Sequence, residues 1–372
     1  MQDALTIALV LETSGGGSGR HALDLAEGLA AEQHRVTVIW SPVRAQADFE
    51  ARLTAMEGVR NLPLEMHRAV GPHDAARLRA LSTLLRAEGP FDVVHGHSSK
   101  AGALVRLLPR SIPGARIYTP HAFRTMDPTM GGRGRLIYGT IERLLARRTD
   151  RIITVSEAER QHAMEIGIAE NRLTTVVNGA RLPTHASRAA ARAQMGLDED
   201  AVAVGFIGRL DDQKAPLRFV EAVTKAAQQA PALRGIVIGD GPLRAEAEAL
   251  DTRGALRFLG WQDGPALFPG LDVFCMTSHY EAMPYTLLEA LHAGVPIVTT
   301  AVGGVQETVR DGENGYVLPT DCGADALTAP LVSLTSDAET RRAFGARARD
   351  LAQRRTVETM VTETLAVYAA AR

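Results

Sequence analysis

The sequence SHYEAMPYTLLEALHAGVPIVTTAVGGVQETVRDGENGYV, at residues 278–317, contains the most informative pattern in the chain. Within it, residues 286–291 are strong helix formers, and Gly294 and Pro296 mark where the helix stops. Residues 295–299 then favour a strand. The stretch therefore predicts a loop, a short helix and a strand in succession.

Two carboxylates in this stretch, Glu281 and Glu289, stand eight positions apart. A helical turn takes about 3.6 residues, so an acid before the helix and an acid inside it can face one ligand at the helix start. Backbone N–H groups there favour a phosphate, although Pro284 offers none. Gly303-Gly304 predicts a turn that approaches a ligand closely. Taken alone, the two glutamates could equally form a solvated helix face.

The length and composition of the chain limit its possible classes. With 372 residues it is too long for one ordinary core, which predicts two domains. Its 41 basic and 43 acidic side chains nearly balance, so we expect no nucleic-acid partner. The two cysteines, Cys275 and Cys322, indicate reduced thiols in a cytoplasmic protein. The first apolar run lacks the basic start of an export signal, and no run approaches the roughly 18 apolar residues of a membrane span.

Apolar strand-like runs alternate with helical patterns along the chain, which predicts parallel sheets built from βαβ units. Residues 183–188 read as a linker between two such sets. Before the linker we predict strands at 6–11, 35–40, 91–95, 116–119, 151–155 and 174–177, with helices at 21–31, 74–86, 136–148 and 157–166. After it we predict strands at 203–207, 236–238, 256–259, 272–276 and 295–299, with helices at 217–229, 242–253 and throughout 324–372.

A glycine-rich turn separates the first strand from the first helix. Its pattern Gly17-x-Gly19-x-x-Ala22 is a weak dinucleotide fingerprint, which keeps an NAD-dependent dehydrogenase among the competing classes. The second strand ends in Trp40-Ser41 and supplies no acid for a ribose. That ending counts against a nicotinamide site.

Polar residues follow two of the predicted strands. Residues 95–100 read His-Gly-His-Ser-Ser-Lys, and His121 follows the strand at 116–119. Ligands of open α/β sheets bind at the carboxyl ends of strands, so we expect both groups to line a ligand site. Two histidines beside one glycine lack a nearby carboxylate or thiol, and we therefore predict no metal site. Helix capping and acceptor contacts are the roles we assign to the cluster.

The pattern E-x7-E, followed by A-G-x-P-I-V, G-G-x-x-E and G-x-N-G, resembles the donor site of retaining glycosyltransferase family four. This resemblance implies an α/β GT-B architecture with two Rossmann-like domains facing across a cleft. It implies an acceptor-side domain at 1–183, a donor-binding domain at 184–356, and a final helix at about 357–372 that packs back on the first. Residues 95–102 and 118–123 resemble a subgroup that assembles cell-surface polysaccharides.

The resemblance also implies roles for individual residues. Arg209 and Lys214 would hold the donor diphosphate, Glu289 the ribose hydroxyls and Glu281 the transferred sugar. His121 would contact the sugar near the reacting carbon, which makes His121, Glu281, Arg209 and Lys214 the catalytic set. Many relatives have Glu-Gly-Phe-Gly or Glu-Gly-Phe-Pro at 281–284, so the donor sugar is left open. Further donor contacts would come from Gly16, Gly17, Ala282, Met283, Pro284, Tyr285 and Thr286, and acceptor-side contacts from His97, Ser98, Ser99 and Lys100.

The implied reaction is a retaining transfer from a nucleoside diphosphate sugar, with a UDP-sugar favoured, and without a cofactor or metal. The acceptor would be a glycan, a lipid-linked sugar or a small molecule. Two alternatives stay open: a sugar-nucleotide epimerase of GT-B architecture, which would convert donor without acceptor, and a non-catalytic sugar-nucleotide-binding protein.

A basic amphipathic segment predicts peripheral contact with the cytoplasmic face of the membrane. Leu136, Ile137, Leu144 and Leu145 recur at helical spacing between the basic residues. The alternative is that this apolar side packs on the core. The basic residues are Arg133, Arg135, Arg143, Arg147, Arg148 and Arg151.

Overall fold

The computed structural model describes residues 4–372, which divide into two compact α/β units. One unit comprises Met1–Gly179 with Val357–Arg372, and the other comprises Ala180–Thr356. The sequence puts the boundary after residue 183, whereas the structure assigns residues 180–183 to the second unit. A backbone hydrogen bond from Ala180 N to Arg355 O, 3.0 Å long, joins the two ends of that unit.

The first unit is built on a seven-stranded sheet in which every pairing is parallel. Its strand order is β3-β2-β1-β4-β5-β6-β7. The inner strands are buried apolar runs, as a sheet covered on both faces requires. The strands are β1 (Thr6–Leu11), β2 (Arg35–Trp40), β3 (Val59–Pro63), β4 (Val93–His97), β5 (Ala115–Thr119), β6 (Arg151–Thr154) and β7 (Leu173–Thr175).

Helices connect these strands, so the carboxyl ends of all seven strands lie at the same edge of the sheet. Helix α1 follows β1, α4 follows β4 and α6 follows β6. The six helices are α1 (Gly16–Ala31), α2 (Ala47–Thr54), α3 (His73–Glu88), α4 (Ser98–Leu107), α5 (Gly132–Ala146) and α6 (Glu157–Glu165).

The second unit contains a six-stranded parallel sheet of order β10-β9-β8-β11-β12-β13. Its strands are β8 (Val202–Ile207), β9 (Leu233–Ile238), β10 (Leu256–Phe258), β11 (Val273–Met276), β12 (Ile297–Thr300) and β13 (Gly315–Leu318). Its helices are α7 (Arg188–Met195), α8 (Pro216–Gln229), α9 (Arg244–Leu250), α10 (Gly264–Leu267), α11 (Tyr285–Ala293), α12 (Val305–Thr308), α13 (Ala324–Ser336) and α14 (Ala338–Ala352).

The last helix, α15 (Val357–Ala371), belongs to the first unit. Met360, Val361 and Tyr368 are buried in the same apolar core as β1 and α1. A methyl group on Gly28 of α1 would lie 2.4 Å from Cγ2 of Val361, so the two helices can touch only because residue 28 is glycine.

The structure differs from the predicted elements where polar or small residues break the apolar periodicity. Helix α1 begins at Gly16, five residues before the predicted start at 21. The prediction was wrong because glycine is a poor helix former, and glycines occupy the first turn of this helix. The dinucleotide fingerprint therefore lies inside a helix. Strand β4 runs on to His97, beyond the predicted end at 95. The sequence missed β3, β13, α2, α4, α7, α10 and α12.

Candidate functional site

Two loops of the second unit are joined at the carboxyl edge of its sheet. One follows β8 and the other follows β11, its neighbour in the sheet. The Thr277 hydroxyl donates to the carbonyl of Ala215, 2.9 Å away, and His279 N donates to Gln213 O at 2.8 Å. Gln213 Nε2 in turn donates to Tyr280 O at 3.1 Å. These bonds fix the two loops as one surface.

Lys214 and Glu281, which the sequence assigns to the donor site, meet on this surface. The ammonium of Lys214 lies 2.5 Å from Glu281 Oε1, and the Ser278 hydroxyl donates to the same oxygen at 2.9 Å. Both charged side chains are largely buried. An ammonium carries three donors, so Lys214 can bind a second anion while it holds Glu281.

Arg209 differs from Lys214 in its surroundings. Its side chain is 61% exposed, and its guanidinium pairs with Asp211 Oδ2 at 2.9 Å. It lies in the same loop as Lys214 but makes no short contact that would fix it to the β11 loop among the described residues. The structure thus supplies one held cation and one exposed cation at this edge.

Glu289 lies on α11, beyond the first turn of the helix, and is buried. The helix begins at Tyr285 after Pro284, as the predicted loop and helix require. Ala282, Met283 and Tyr285 are also buried, so they shape the loop from beneath its surface. Thr286 is half-buried in the first turn.

Gly303 and Gly304 pack against this loop. A methyl group on Gly303 would lie 2.3 Å from the carbonyl oxygen of Glu281, and one on Gly304 would lie 2.6 Å from Met283 Sδ. Gly304 also has φ +84°, which favours glycine. The sequence predicts that this turn approaches a ligand; the close approach in the structure is to residues 281–284.

Four histidines gather at the carboxyl edge of the first sheet. His97 Nδ1 lies 3.1 Å from His121 Nε2, and the rings of His95 and His97 lie 4.0 Å apart. His21, from the first turns of α1, bonds Asn178 Oδ1 through Nδ1 at 3.0 Å. His95 is bonded at both nitrogens, to Tyr368 and Thr119.

Burial keeps these imidazoles neutral. It lowers the pKa of His21 to about 4, although the Asn178 hydrogen bond and Asp24 act in the opposite direction. The pKa values of His95, His97 and His121 are held well below the usual range, first by burial and then by the neighbouring histidines. A neutral imidazole has one nitrogen that donates a hydrogen bond and one that carries a lone pair.

The segment that carries His121 has an unusual backbone. His121 has φ 53° and Ala122 has φ 81°, both in the left-handed region that side chains disfavour. Glu159, buried in α6, accepts hydrogen bonds from Ala122 N at 2.7 Å and Val155 N at 2.8 Å. Burial raises the pKa of Glu159 to about 7 against the effect of these donors.

The other predicted residues of the first unit separate into two groups. Gly16 and Gly17 are exposed at the start of α1, where Gly16 has φ +60° and open space around it. Ser98 is half-buried and Ser99 is exposed in the first turn of α4. The ammonium of Lys100, in contrast, is buried and bound to Asp74 and to Ala69 O.

One group of side chains among the described residues could hold a metal ion. One ring nitrogen from each of His21, His97 and His121 lies within 4.8 Å of the others. The sequence interpretation missed His21, Asn178 and Glu159. The signal was available for His21, because α1 follows β1 and so starts at the edge where β4 and β5 end.

Comparisons with known proteins cover both units. Residues 16–179 match the model of the Glycosyl transferase 4-like domain, and residues 187–351 match that of Glycosyl transferases group 1. The D-inositol 3-phosphate glycosyltransferase of Kribbella flavida is 27% identical over 95% of this chain and 90% of its own. The phosphatidyl-myo-inositol mannosyltransferase of Mycolicibacterium smegmatis is 28% identical over the same shares, 95% and 90%.

A solved structure with the same fold is that of Anabaena Alr3699/HepE in complex with UDP and glucose. It has a TM-score of 0.83 and 19% identity, and the match covers 98% of this chain and 100% of that one. This likeness and the two parallel sheets show the GT-B fold, and the matches to both glycosyltransferase models identify the chain as a glycosyltransferase of that fold.

Proposed function

We propose that the protein transfers a sugar, with retention of anomeric configuration, from a UDP-sugar to a glycan or lipid-linked acceptor. The observation that carries this proposal is the bonded group of Lys214, Glu281 and Ser278 at the carboxyl edge of the second sheet. That edge is where open parallel sheets bind ligands, and the group combines a cation for phosphate with a carboxylate for sugar hydroxyls.

The leaving diphosphate is the largest charge in the reaction. Lys214 has donors beyond the one that Glu281 takes, and Arg209 is exposed and able to reorient. In our proposal both cations bind the diphosphate and stabilise the negative charge that grows as the sugar departs. These two side chains supply the charge for which other enzymes use a metal, so we expect transfer without an added divalent ion.

The rest of the donor is assigned to neighbouring groups. Glu289 binds the ribose hydroxyls, and Glu281 binds the transferred sugar together with the loop of Ala282, Met283, Pro284, Tyr285 and Thr286. Gly16 and Gly17 contribute exposed backbone at the start of α1. The UDP in the Anabaena protein with the same fold supports uridine as the nucleoside.

His121 acts near the reacting carbon in this proposal. Its imidazole is neutral at pH 7, because burial lowers its pKa, so it can accept or donate a hydrogen bond without carrying charge. The acceptor attacks on the face from which the diphosphate leaves, and the departing phosphate takes the acceptor's proton. His121 therefore positions the sugar and is not the general base.

Proton NMR of early product tests this mechanism. The enzyme is treated with a chelator, given each of several UDP-sugars with an acceptor, and the anomeric signal is followed from the first turnovers. We expect product with the donor's anomeric configuration and an undiminished rate after chelation. Inverted product, or activity that returns only with added metal, contradicts the proposed mechanism.

A basic face on the first unit favours a membrane-proximal acceptor. Helix α5 turns Gly139, Glu142 and Ala146 to the core, whereas most of its large apolar side chains are exposed and Leu145 is half-buried. The alternative that this apolar side packs on the core is therefore wrong for most of these residues. Leu136 is 72% exposed, Ile137 58%, Ile141 43% and Leu144 50%.

Arginines surround these apolar side chains. Arg133, Arg135, Arg143, Arg147 and Arg148 are exposed on or beside α5. We propose that this face contacts the anionic inner leaflet, where each basic residue contributes about 1 kcal/mol that salt screens. The lipid acceptor in the name of the mycolicibacterial relative supports this assignment. No helix in residues 4–372 has the length and apolar content needed to cross a bilayer.

Co-sedimentation with liposomes tests the contact. We expect binding to anionic vesicles at low salt, less at high salt, and loss of binding when Leu136 and Leu144 are both replaced by glutamine. Val70→Gln, which changes an even more exposed apolar residue outside α5, serves as the control and should bind as the wild type does. Equal failure to bind anionic and neutral vesicles at low salt removes the membrane from the proposal.

The two alternatives predict different products. An epimerase converts the donor when no acceptor is present, and a binding protein leaves the donor unchanged under all conditions. Incubation of donor alone and of donor with acceptor, followed by separation of the nucleotides, distinguishes these cases from transfer.

A further inference from the structure

We propose that His21, His97 and His121 form a binding site for a divalent transition metal ion, with Zn²⁺ as the expected occupant. One ring nitrogen from each residue lies within 4.8 Å of the other two. The three residues come from α1, the end of β4 and the turn after β5, so the fold itself brings them together.

The distance between two of the nitrogens fits metal coordination. His97 Nδ1 and His121 Nε2 lie 3.1 Å apart. Zinc–nitrogen bonds of about 2.0–2.1 Å in a tetrahedron put neighbouring nitrogens about 3.3 Å apart. The two imidazoles therefore already have the spacing of a chelating pair, and the third needs only a small adjustment of its side chain.

The third histidine is held in the tautomer that a ligand needs. Asn178 Oδ1 is an acceptor, so the Nδ1 of His21 that it contacts carries the proton. The lone pair of His21 is then on Nε2, which is available for a metal. Metal-bound histidines commonly donate their second N–H to such a partner, which fixes the ring and raises its basicity.

One ring nitrogen of the cluster also lacks a hydrogen-bond partner. His97 is fully buried, and its Nε2 has no hydrogen-bond partner among the described residues. The 3.1 Å approach to His121 uses the other nitrogen of His97, Nδ1, so Nε2 carries the proton when Nδ1 binds the ion. His95 cannot serve as a fourth ligand, because Tyr368 and Thr119 occupy both of its nitrogens.

The three imidazole ligands determine which metal ion the site prefers. Three neutral imidazoles suit Zn²⁺, Cu²⁺ or Ni²⁺ and are poor ligands for Mg²⁺ or Ca²⁺, which prefer oxygen. Three histidines leave the fourth position of zinc open to water or to an oxygen of a ligand.

An ion bound to His121 would compete with the sugar contact proposed above, so zinc would inhibit the transfer. This consequence alone rests on the proposed function.

Equilibrium dialysis of the chelator-treated full chain against ZnCl₂ measures the site directly. We expect one Zn²⁺ per chain, and at least tenfold weaker binding for both His21→Ala and His97→Ala. Asn178→Ala keeps all three ligands but removes the bond that orients His21, and should weaken binding roughly 10- to 100-fold. His185→Ala removes a histidine whose side chain is 74% exposed, and should bind zinc as the wild type does.

A spectroscopic measurement separates loss of the site from loss of the fold. Electron paramagnetic resonance of the Cu²⁺-loaded wild type should show hyperfine structure from imidazole nitrogens, and circular dichroism should show that each variant is folded. Zinc binding that is the same in wild type and folded His21→Ala, or a copper spectrum without nitrogen ligands, overturns the proposal. Transfer activity plays no part in this test, so its result is independent of the reaction assigned above.

Discussion

His121 combines a functional side chain with a left-handed backbone, so its substitution needs care. Alanine at φ 53° is strained, whereas asparagine adopts this region readily. We expect both His121→Ala and His121→Asn to lower kcat far more than donor affinity, because a group near the reacting carbon stabilises the transition state more than the ground state. Steady-state kinetics with donor titration measures both quantities.

Comparing the two variants distinguishes the effect of losing the imidazole from the effect of backbone strain. If only the alanine variant is impaired, the backbone strain explains the loss and the imidazole has no part in the reaction. A rise in KM with unchanged kcat in both variants would instead assign His121 to ground-state binding.

Glu159 fixes the backbone of Ala122, the residue after His121, through its carboxylate. Both of its oxygens accept backbone N–H groups, from Ala122 and Val155. Glu159→Gln turns an NH₂ group toward one of these donors, and we expect a loss of about 1–3 kcal/mol in the free energy of unfolding. Urea denaturation measures it. Glu165→Gln, at the end of the same helix with its side chain 75% exposed, is the control and should change stability by less than about 0.5 kcal/mol.

The same residue predicts a pH dependence. Its pKa is raised from an ordinary 4.5 to about 7 by burial, so between these values the folded state keeps a proton that the unfolded state has lost. The contribution of Glu159 to stability is therefore full below about pH 4.5 and decreases as pH rises to about 7. Relative to Glu159→Gln, wild type should lose stability over this window. A constant difference between the two proteins from pH 4.5 to 7 would show that the pKa is not raised.

At the scale of elements, the turn between β12 and α12 determines the shape of the donor loop. A side chain on Gly303 would meet the carbonyls of Glu281 and Ala282 at 2.3 and 2.8 Å. Gly303→Ala must displace that loop, and we expect a loss of about 1–3 kcal/mol in stability together with much weaker donor binding. Gly323→Ala, where no atom lies within 4 Å, is the matched control.

Denaturation and calorimetry with UDP measure the two effects. Full donor affinity in Gly303→Ala would show that the 281–284 loop does not contact the donor, even if stability falls. If Gly323→Ala loses as much as Gly303→Ala, the cause is the general loss of glycine and not the close contact.

The sequence predicts those elements whose apolar periodicity is uninterrupted. Strands β1, β2 and β8 match to within one residue, because they are continuous runs of branched and apolar side chains. Strand β4 ends two residues after its predicted end at 95. The prediction stopped early because His95 and His97 are polar and yet buried, a combination that periodicity cannot identify. The sequence nevertheless predicted His95, His97 and His121 at this edge of the sheet and missed His21.

The sequence also predicted only part of the candidate site. The family resemblance identified Lys214 and Glu281, which the structure joins directly. It could not distinguish Lys100, whose ammonium is already bound by Asp74, from a free cation. Nor could it identify Glu159 or Asn178, because their roles depend on backbone and side-chain partners far away in sequence.

For the whole molecule, the two units should differ in their ability to fold alone. The fragment 180–356 contains its complete sheet, whereas 1–179 lacks α15. Burial of Met360, Val361 and Tyr368 contributes about 1.5–3 kcal/mol each, a large share of a typical stability of 5–15 kcal/mol. We expect cooperative urea unfolding for 180–356 and for 1–179 joined by a flexible linker to 357–372, but not for 1–179 alone.

Circular dichroism during denaturation gives the three curves. Equal midpoints for 1–179 with and without the added helix would show that α15 contributes nothing to that core. A fragment 180–356 that is unfolded at zero urea would show that the second unit depends on the first.

The position of α15 also affects how the protein is made. A ribosome that adds roughly 5–20 residues per second needs roughly 10 to 35 seconds to synthesise residues 180–356 before α15 can emerge. During that interval the surface of α1, β5 and β6 that α15 later covers is exposed to chaperones, proteases and neighbouring nascent chains. We infer that the unit translated first is completed last, only once α15 has left the ribosome, and that chains truncated before Val357 are defective in the core built by their earliest residues.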